Sequence, residues 1–255
     1  MIWESLDNRS MATTNRNKLN RLYAELVLGA PVTSEQLSSF GISADLAVHY
    51  VKAGWLKRLA RGVYARQGDQ LALYPCLLFL QNKVSGLHIG GKSALEWYGV
   101  RHYLTQDPVL QLFGLKAASL PTWFSDIFPA DYHQKRLFDE TNADLLFVEP
   151  FEGEQKSPSV SSPERGFLEM LSEVGVRQTL QEARELAESC YTLRANVLQA
   201  LLEKCTSVKT VRLCLNIGAE IDLPWVKKLD IQRLPTGSRR DWVSQSKDGL
   251  LVLKP

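Results

Sequence analysis

The spacing of apolar positions changes period along this chain, and the changes mark its elements. From Asn17 to Leu28, Leu19, Leu22, Leu26 and Val27 fall on one side and Lys18, Arg21 and Glu25 on the other. That is the 3.6-residue period of an amphipathic helix. Gly29, followed by Pro31, is placed to cap it. Thr33-Ser34-Glu35-Gln36 matches the Thr-x-x-Gln capping box and opens a short helix ending near Phe40-Gly41. Ser43 is placed to cap a third helix from Ala44 to Ala53, closed by Gly54. Leu46, Ala47, Tyr50 and Val51 share its inward face, while Ser43, Asp45, Val48, His49 and Lys52 point away. The period then falls to two. Trp55-Leu56-Lys57-Arg58-Leu59 and Val63-Tyr64-Ala65-Arg66 alternate as half-buried strands do. Ala60-Arg61-Gly62 joins them, with Gly62 free to take a positive φ.

Helices, a tight turn and a β-hairpin in this order predict a winged helix-turn-helix over residues 15–68, after a polar, frayed lead at residues 1–14. Residues 69–255 read as a mixed α/β domain containing a helical block, so the expected class is α+β. Leu71 to Asn82 and Ser93 to Tyr98 read as helices. Val109 to Phe113, Leu137-Phe138 and Leu145 to Val148 read as strands. The Ser- and Pro-rich stretch from Glu152 to Pro163 reads as a loop or linker. Four helices follow, over Glu164 to Val174, Thr179 to Glu188, Arg194 to Thr206 and Val208 to Ala219. A hairpin closes the chain, pairing Asp241 to Ser244 with Leu250 to Leu253 around Ser246-Lys247-Asp248-Gly249.

Composition narrows the class. A chain of 255 residues with 45% apolar and 23% charged residues has enough material for one large or two modest cores. The longest apolar run, Cys76 to Leu80, is too short to cross a bilayer, and the N-terminus lacks a signal layout, so no membrane partner is expected. Met11 is a candidate natural start beside Met1. Cys76, Cys190, Cys205 and Cys214 form no Cys-x-x-Cys pair and no Cys-His ligand spacing. They read as buried thiols in a reducing, cytoplasmic compartment, with no metal and no disulfide framework.

Charge is unevenly placed. The chain carries a net +2, yet residues 16–68 hold eight Lys/Arg against three Asp/Glu, a balance of +5. Cationic charge on a helix-turn-helix suits phosphate neutralisation on double-stranded DNA. The expected DNA-binding residues are Ser43, Asp45, His49 and Lys52 on the third helix, which fits a major groove, and Lys57, Arg58, Arg61 and Arg66 on or beside the wing. The competing reading is a winged-helix protein-interaction adaptor without specific DNA binding, whose Lys and Arg are merely solvated. Residues 139–173 are acidic, nine to two. Residues 203–240 are basic, eight to four, which offers Lys204, Lys209, Arg212, Lys227, Lys228, Arg239 and Arg240 as a second cationic surface.

Catalytic motifs are weak. Gly86-Leu87-His88-Ile89-Gly90-Gly91-Lys92-Ser93 fits the P-loop spacing Gly-x-x-x-x-Gly-Lys-Ser. A P-loop needs a buried strand running into its first glycine, and Gln81-Asn82-Lys83-Val84-Ser85 is polar. A glycine turn opening a helix is the expectation, and a nucleotide-dependent enzyme is rejected. His49, His88, His102 and His133 are dispersed, and no nucleophile elbow is present. Glu164 and Glu169 read as an exposed helical face. No catalytic residue, cofactor or metal is expected.

The stretch Trp55-Leu56-Lys57-Arg58-Leu59-Ala60-Arg61-Gly62-Val63-Tyr64, followed about 25 residues on by Ile89-Gly90-Gly91-Lys92-Ser93-Ala94-Leu95, resembles the AbiEi-like antitoxins of type IV (abortive infection) toxin-antitoxin systems. Pro163 to Leu171 and Leu201 to Leu213 extend the resemblance, which covers nearly the whole chain from about Asn15. It implies a winged helix that binds inverted repeats in its own promoter and represses the operon. It also implies a C-terminal domain that counters a neighbouring nucleotidyltransferase-like toxin without a stable complex. By matching position, DNA contact falls to Ser43 through Lys52 and to the wing around Arg61.

Overall fold

The computed structural model describes residues 17–100, 109–141, 145–154, 156–238, 240–246 and 249–253. The expected lead at 1–14, Met11, His102, Arg239 and the Lys247-Asp248 hairpin tip lie outside the described residues. The chain divides into two compact units, Met1–Leu80 and Gln81–Pro255.

The first unit opens with helix α1, residues 17–25. It stops short of the expected Leu28. Gly29 has φ +72°, and a Cβ there would lie 2.8 Å from the Gln70 carbonyl oxygen, so the chain turns before it and leaves Val27 and Leu28 in solvent. Strand β1 (Val32–Thr33) leads into α2 (Ser34–Ser39) through a complete capping box. The Gln36 N–H donates to Thr33 Oγ1 at 3.2 Å, and the Thr33 N–H donates to Gln36 Oε1 at 2.8 Å. Ser43 caps α3 (Ala44–Lys52) by accepting the Leu46 N–H at 3.3 Å. The wing strands are β2 (Leu56–Ala60) and β3 (Val63–Arg66). They turn through Arg61-Gly62, where Gly62 has φ +71°. The sheet order is β1-β3-β2, antiparallel throughout. Strand β1 was not expected from sequence, because two residues show no period. Leu22, Leu37, Ile42, Ala47 and Leu56 fill the core beneath this sheet.

Helix α4 (Leu73–Lys83) passes from the first unit into the second. The second unit holds a mixed five-stranded sheet of β4 (His88–Ile89), β5 (Leu110–Gly114), β6 (Ala130–Gln134), β7 (Val148–Pro150) and β8 (Ser159–Ser161). Its order is β6-β5-β4-β8-β7, with β5/β6 and β4/β8 parallel and the other two pairs antiparallel. Helix α5 (Gly91–Trp97) follows β4, and the short α6 (Thr122–Ser125) precedes β6. The helical block is α7 (Pro163–Ser172), α8 (Leu180–Glu188), α9 (Ala195–Glu203) and α10 (Val208–Glu220). A hairpin of β9 (Trp242–Ser246) and β10 (Gly249–Leu253) follows. Every residue of α7 from Glu164 to Ser172 is buried, so this helix forms the axis of the unit. Winged helix, mixed sheet and helical block together make the fold α+β.

Four expectations are corrected here. The linker expected over Glu152 to Pro163 contains β8, an inner strand whose Val160 is fully buried. Its Ser-Val-Ser sequence is polar, and its pairing with Ile89 and Val148 to Pro150 is what holds it. The strand expected at Leu145 to Val148 starts only at Val148, because Phe147 adopts φ +53°. Leu137-Phe138 makes a single bridge, Phe138 to Cys205, and no strand. Glu164 and Glu169 are not an exposed face but are buried, at 2% and 1% exposure.

Candidate nucleic-acid interface

The first unit presents α3 and the wing. Ala47 and Tyr50 of α3 are buried and Leu46 and Val51 half-buried, which turns Ser43, Asp45, Val48, His49 and Lys52 outward into solvent. The Ser43 hydroxyl is committed to the helix cap. His49 and Lys52 lie in the last turn, where cations complement the helix dipole. The helix is nine residues long, and a major groove is wide enough to admit an α-helix.

A bulge shapes the wing. Lys57 pairs with Ala65 and Arg58 with Tyr64, but Ala60 pairs with Val63, so Leu59 is an extra residue. The inserted residue breaks strict alternation and leaves Lys57 and Arg58, adjacent in sequence, both exposed. Arg61 is exposed at the turn. Among the described residues Lys57, Arg58 and Arg61 make no ion pair; Arg58 only reaches the Ala60 carbonyl, at 3.4 Å. Arg66 is placed differently. It is half-buried, its guanidinium lies 4.3 Å over the Tyr23 ring, and it approaches Asp69 at 3.7 Å. Its charge serves the unit internally. Trp55, 48% exposed at the base of the wing, is an aromatic that sequence reading took only as a strand residue.

The P-loop-like segment of the second unit is occupied by the protein itself. The Gly91 N–H donates to Glu169 Oε2 at 3.1 Å, and the Lys92 N–H to Gln111 Oε1 at 2.8 Å. Ser93 Oγ accepts the Gln111 N–H at 2.9 Å, and Lys92 Nζ pairs with Glu182 at 2.7 Å. The amides a phosphate would need thus hold side chains, with the Glu169 carboxylate in the anion position. Glu169 also accepts from His88 Nε2 at 2.9 Å, Ser161 Oγ at 2.9 Å and Arg165 Nε at 2.7 Å. Burial alone would raise its pKa, but the Arg165 guanidinium and His88 outweigh burial and hold it down at about 2.

The second cationic surface expected in this unit is only partly cationic surface. Arg212 is 2% exposed and donates to the carbonyls of Thr236, Ser238, Arg240 and Leu253. Lys209 donates to the Ser172 and Val174 carbonyls, both at 2.9 Å, at the end of α7. Buried carbonyls need donors, and these two side chains supply them. Lys204, Lys227, Lys228 and Arg240 are exposed, and Lys227 pairs with Asp222. All four cysteines are buried free thiols. Burial pushes Cys76 and Cys190 up to about 12 and Cys205 to about 11, the protonated form that ligates no metal. Among the described residues no cluster of His, Cys, Asp and Glu is arranged to hold a metal, and no helix is long and apolar enough to cross a membrane.

Comparison with known proteins follows this geometry. Residues 15–106 match the family model described as the N-terminal domain of the AbiEi antitoxin transcriptional regulator. Residues 107–254 match the model described as transcriptional regulator, AbiEi antitoxin, type IV TA system. The family's N-terminal segment therefore runs past the winged helix and through α5. No curated protein matches the chain. The crystal structure of the RV2827C protein from Mycobacterium tuberculosis is similar in fold, with a TM-score of 0.57 at 14% identity, covering 91% of this chain and 89% of that one. With both family segments matched in order over nearly its whole length, the chain belongs to the AbiEi antitoxin family, transcriptional regulators of type IV toxin-antitoxin systems.

Proposed function

We propose that this protein is a DNA-binding transcriptional repressor and antitoxin that autoregulates its operon and counteracts a nucleotidyltransferase-like toxin. The winged helix binds promoter inverted repeats. The region expected to act as antitoxin, residues 69–255, opposes the toxin without a stable complex and without catalysis of its own, in the cytoplasm. One observation carries the DNA reading: α3 turns Asp45, Val48, His49 and Lys52 into solvent on the same unit that holds Lys57, Arg58 and Arg61 exposed and, among the described residues, without ion pairs. In this reading Lys57, Arg58 and Arg61 hold phosphates and α3 addresses base edges, with Ser43 at its start; Arg66 supports the wing.

The test is fluorescence anisotropy of the full chain on a duplex from upstream of its own gene, across a salt series. Arg58→Ala and Arg61→Ala should weaken binding to every sequence and flatten the salt slope by about one unit per lost phosphate contact. A second reading, the protein-interaction adaptor, is favoured by the exposed apolar side chains Val27, Leu28 and Trp55. Retention of the neighbouring gene's product, with no duplex bound at modest salt, would establish that reading and overturn the first.

A further inference from the structure

The exposed face of α3 runs Asp45, Val48, His49, Lys52, the i, i+3, i+4, i+7 stripe of one helical side. Three of these side chains donate or accept hydrogen bonds. Val48 does neither, and it stands 46% exposed in the middle of the stripe. The unit does not need a valine there for its core, which takes Ala47 and Tyr50 from this helix. Nor does the helix, since a β-branched residue at an exposed helical position is a poorer helix former than alanine or lysine. A major groove carries one apolar group on its base edges, the 5-methyl of thymine.

We propose that Val48 is a specificity-determining residue that packs on a thymine methyl in the bound site. The inference rests on the DNA reading above and names what that surface selects. Asp45 sharpens it. Its carboxylate is exposed, accepts only, and is repelled by phosphates, so in a groove it fits the exocyclic amino group of cytosine or adenine. Asp45 and Val48 lie about 4.5 Å apart along the helix axis, slightly more than the roughly 3.4 Å between base pairs. They therefore address neighbouring base pairs, and the selected site holds a thymine beside a base carrying an amino group.

The experiment keeps the protein intact and edits the DNA. Duplexes are enriched on the full chain from a randomised pool, and the enriched site is resynthesised with each thymine replaced singly by deoxyuridine, which keeps every hydrogen bond and lacks the methyl. At one thymine the replacement should weaken binding about fourfold, the weight of one buried methyl. With Val48→Ala, an exposed substitution that the core does not feel, the same replacement should cost almost nothing. An enriched site with no methyl-sensitive thymine overturns the proposal, as does a sensitivity that survives in Val48→Ala; either leaves the DNA reading standing. Binding without any sequence enrichment also overturns it. A pool from which no duplex is retained overturns the DNA reading itself.

Discussion

Arg165 Nε donates to Glu169 Oε1 at 2.7 Å across one turn of α7, and neither side chain is more than 3% exposed. The same guanidinium forks onto Glu140 through both terminal nitrogens, at 2.6 and 2.7 Å. His88 faces an acceptor with each ring nitrogen, the Gly86 carbonyl and the Glu169 carboxylate, both at 2.9 Å. The quartet ties α7 to β4 and the Glu140 loop, and Ser161 Oγ joins β8 to the Glu169 carboxylate. Glu169→Gln keeps the shape but removes the buried charge that the donors of Arg165, His88, Ser161 and Gly91 meet, and should cost about 3–5 kcal/mol. The urea midpoint measures this; a loss under about 1 kcal/mol, the ordinary weight of a single hydrogen bond, would show that the quartet does not anchor the unit.

Acid should unfold the protein through two carboxylates. Burial opposes the charged form of Glu169 and Glu173, yet Arg165 and His88 on one, and His133 and Lys135 on the other, lower both to about 2. Each binds its proton more weakly folded than unfolded, so the unfolded chain gains protons as the medium acidifies. Their contribution to stability is complete above the ordinary carboxylate range near 4.5 and is lost as pH falls from there toward 2. Thermal melts from pH 6 to pH 3 should show the midpoint falling below about pH 5, and Glu169→Gln should flatten that fall. A wild-type midpoint constant over this range would contradict the assignment.

Two neighbouring substitutions separate packing from phosphate chemistry in the P-loop-like segment. A Cβ on Gly90 would run into the Glu169 carboxylate and the Phe113 ring. Gly90→Ala should therefore cost about 1–3 kcal/mol, the range for overpacking a tight core. Lys92 pairs with Glu182, and both are partly exposed, so Lys92→Ala should cost roughly 0–1 kcal/mol. Calorimetry with ATP and Mg²⁺ should give no heat of binding for either the parent or Lys92→Ala. Binding that vanishes with Lys92 would restore the phosphate role.

The winged helix was legible because its determinants are local. The Thr33–Gln36 capping box, the Ser43 cap and the positive φ at Gly62 each lie within four residues of what they control. The second unit hid its determinants. Strands β4 and β8 are two and three residues long, and His88-Ile89 is defined only by partners at Leu112, Phe113 and Val160. Glu169 looked like a solvated helical charge because its neutralising donors come from His88, Gly91 and Ser161, up to 81 residues away, as well as from Arg165. Arg212 looked like surface charge for the same reason. No periodicity records carbonyls that converge from residues 236–253.

Arg212 fastens the end of the chain to α10. Its guanidinium gathers four carbonyls on the stretch from Thr236 to Leu253. Arg212→Ala would leave those acceptors unpaired, at roughly 1–3 kcal/mol for each one that stays buried. Detachment of the segment relieves this cost, so local release is the expected outcome. Limited proteolysis should cut the variant after residue 236 while the five-stranded sheet stays protected. Protection equal to the parent's would show that the hairpin is held by Leu251 and Leu253 packing alone.

Asp45 is the carboxylate on a face otherwise suited to phosphate, and its removal tests what the face does. If α3 enters a major groove, Asp45 repels every duplex through the phosphate field and repays this only where a base amino group meets it. Asp45→Asn removes the repulsion and leaves a side chain that donates as well as accepts. Affinity for unrelated duplex should rise, most at low salt where the field is least screened. Affinity for the enriched site should rise less or fall, so the ratio of the two should drop about tenfold, within the discrimination that one base contact supplies. Competition anisotropy at two salt concentrations reads both quantities. Equal gains on both duplexes would place Asp45 beside the backbone and outside the groove.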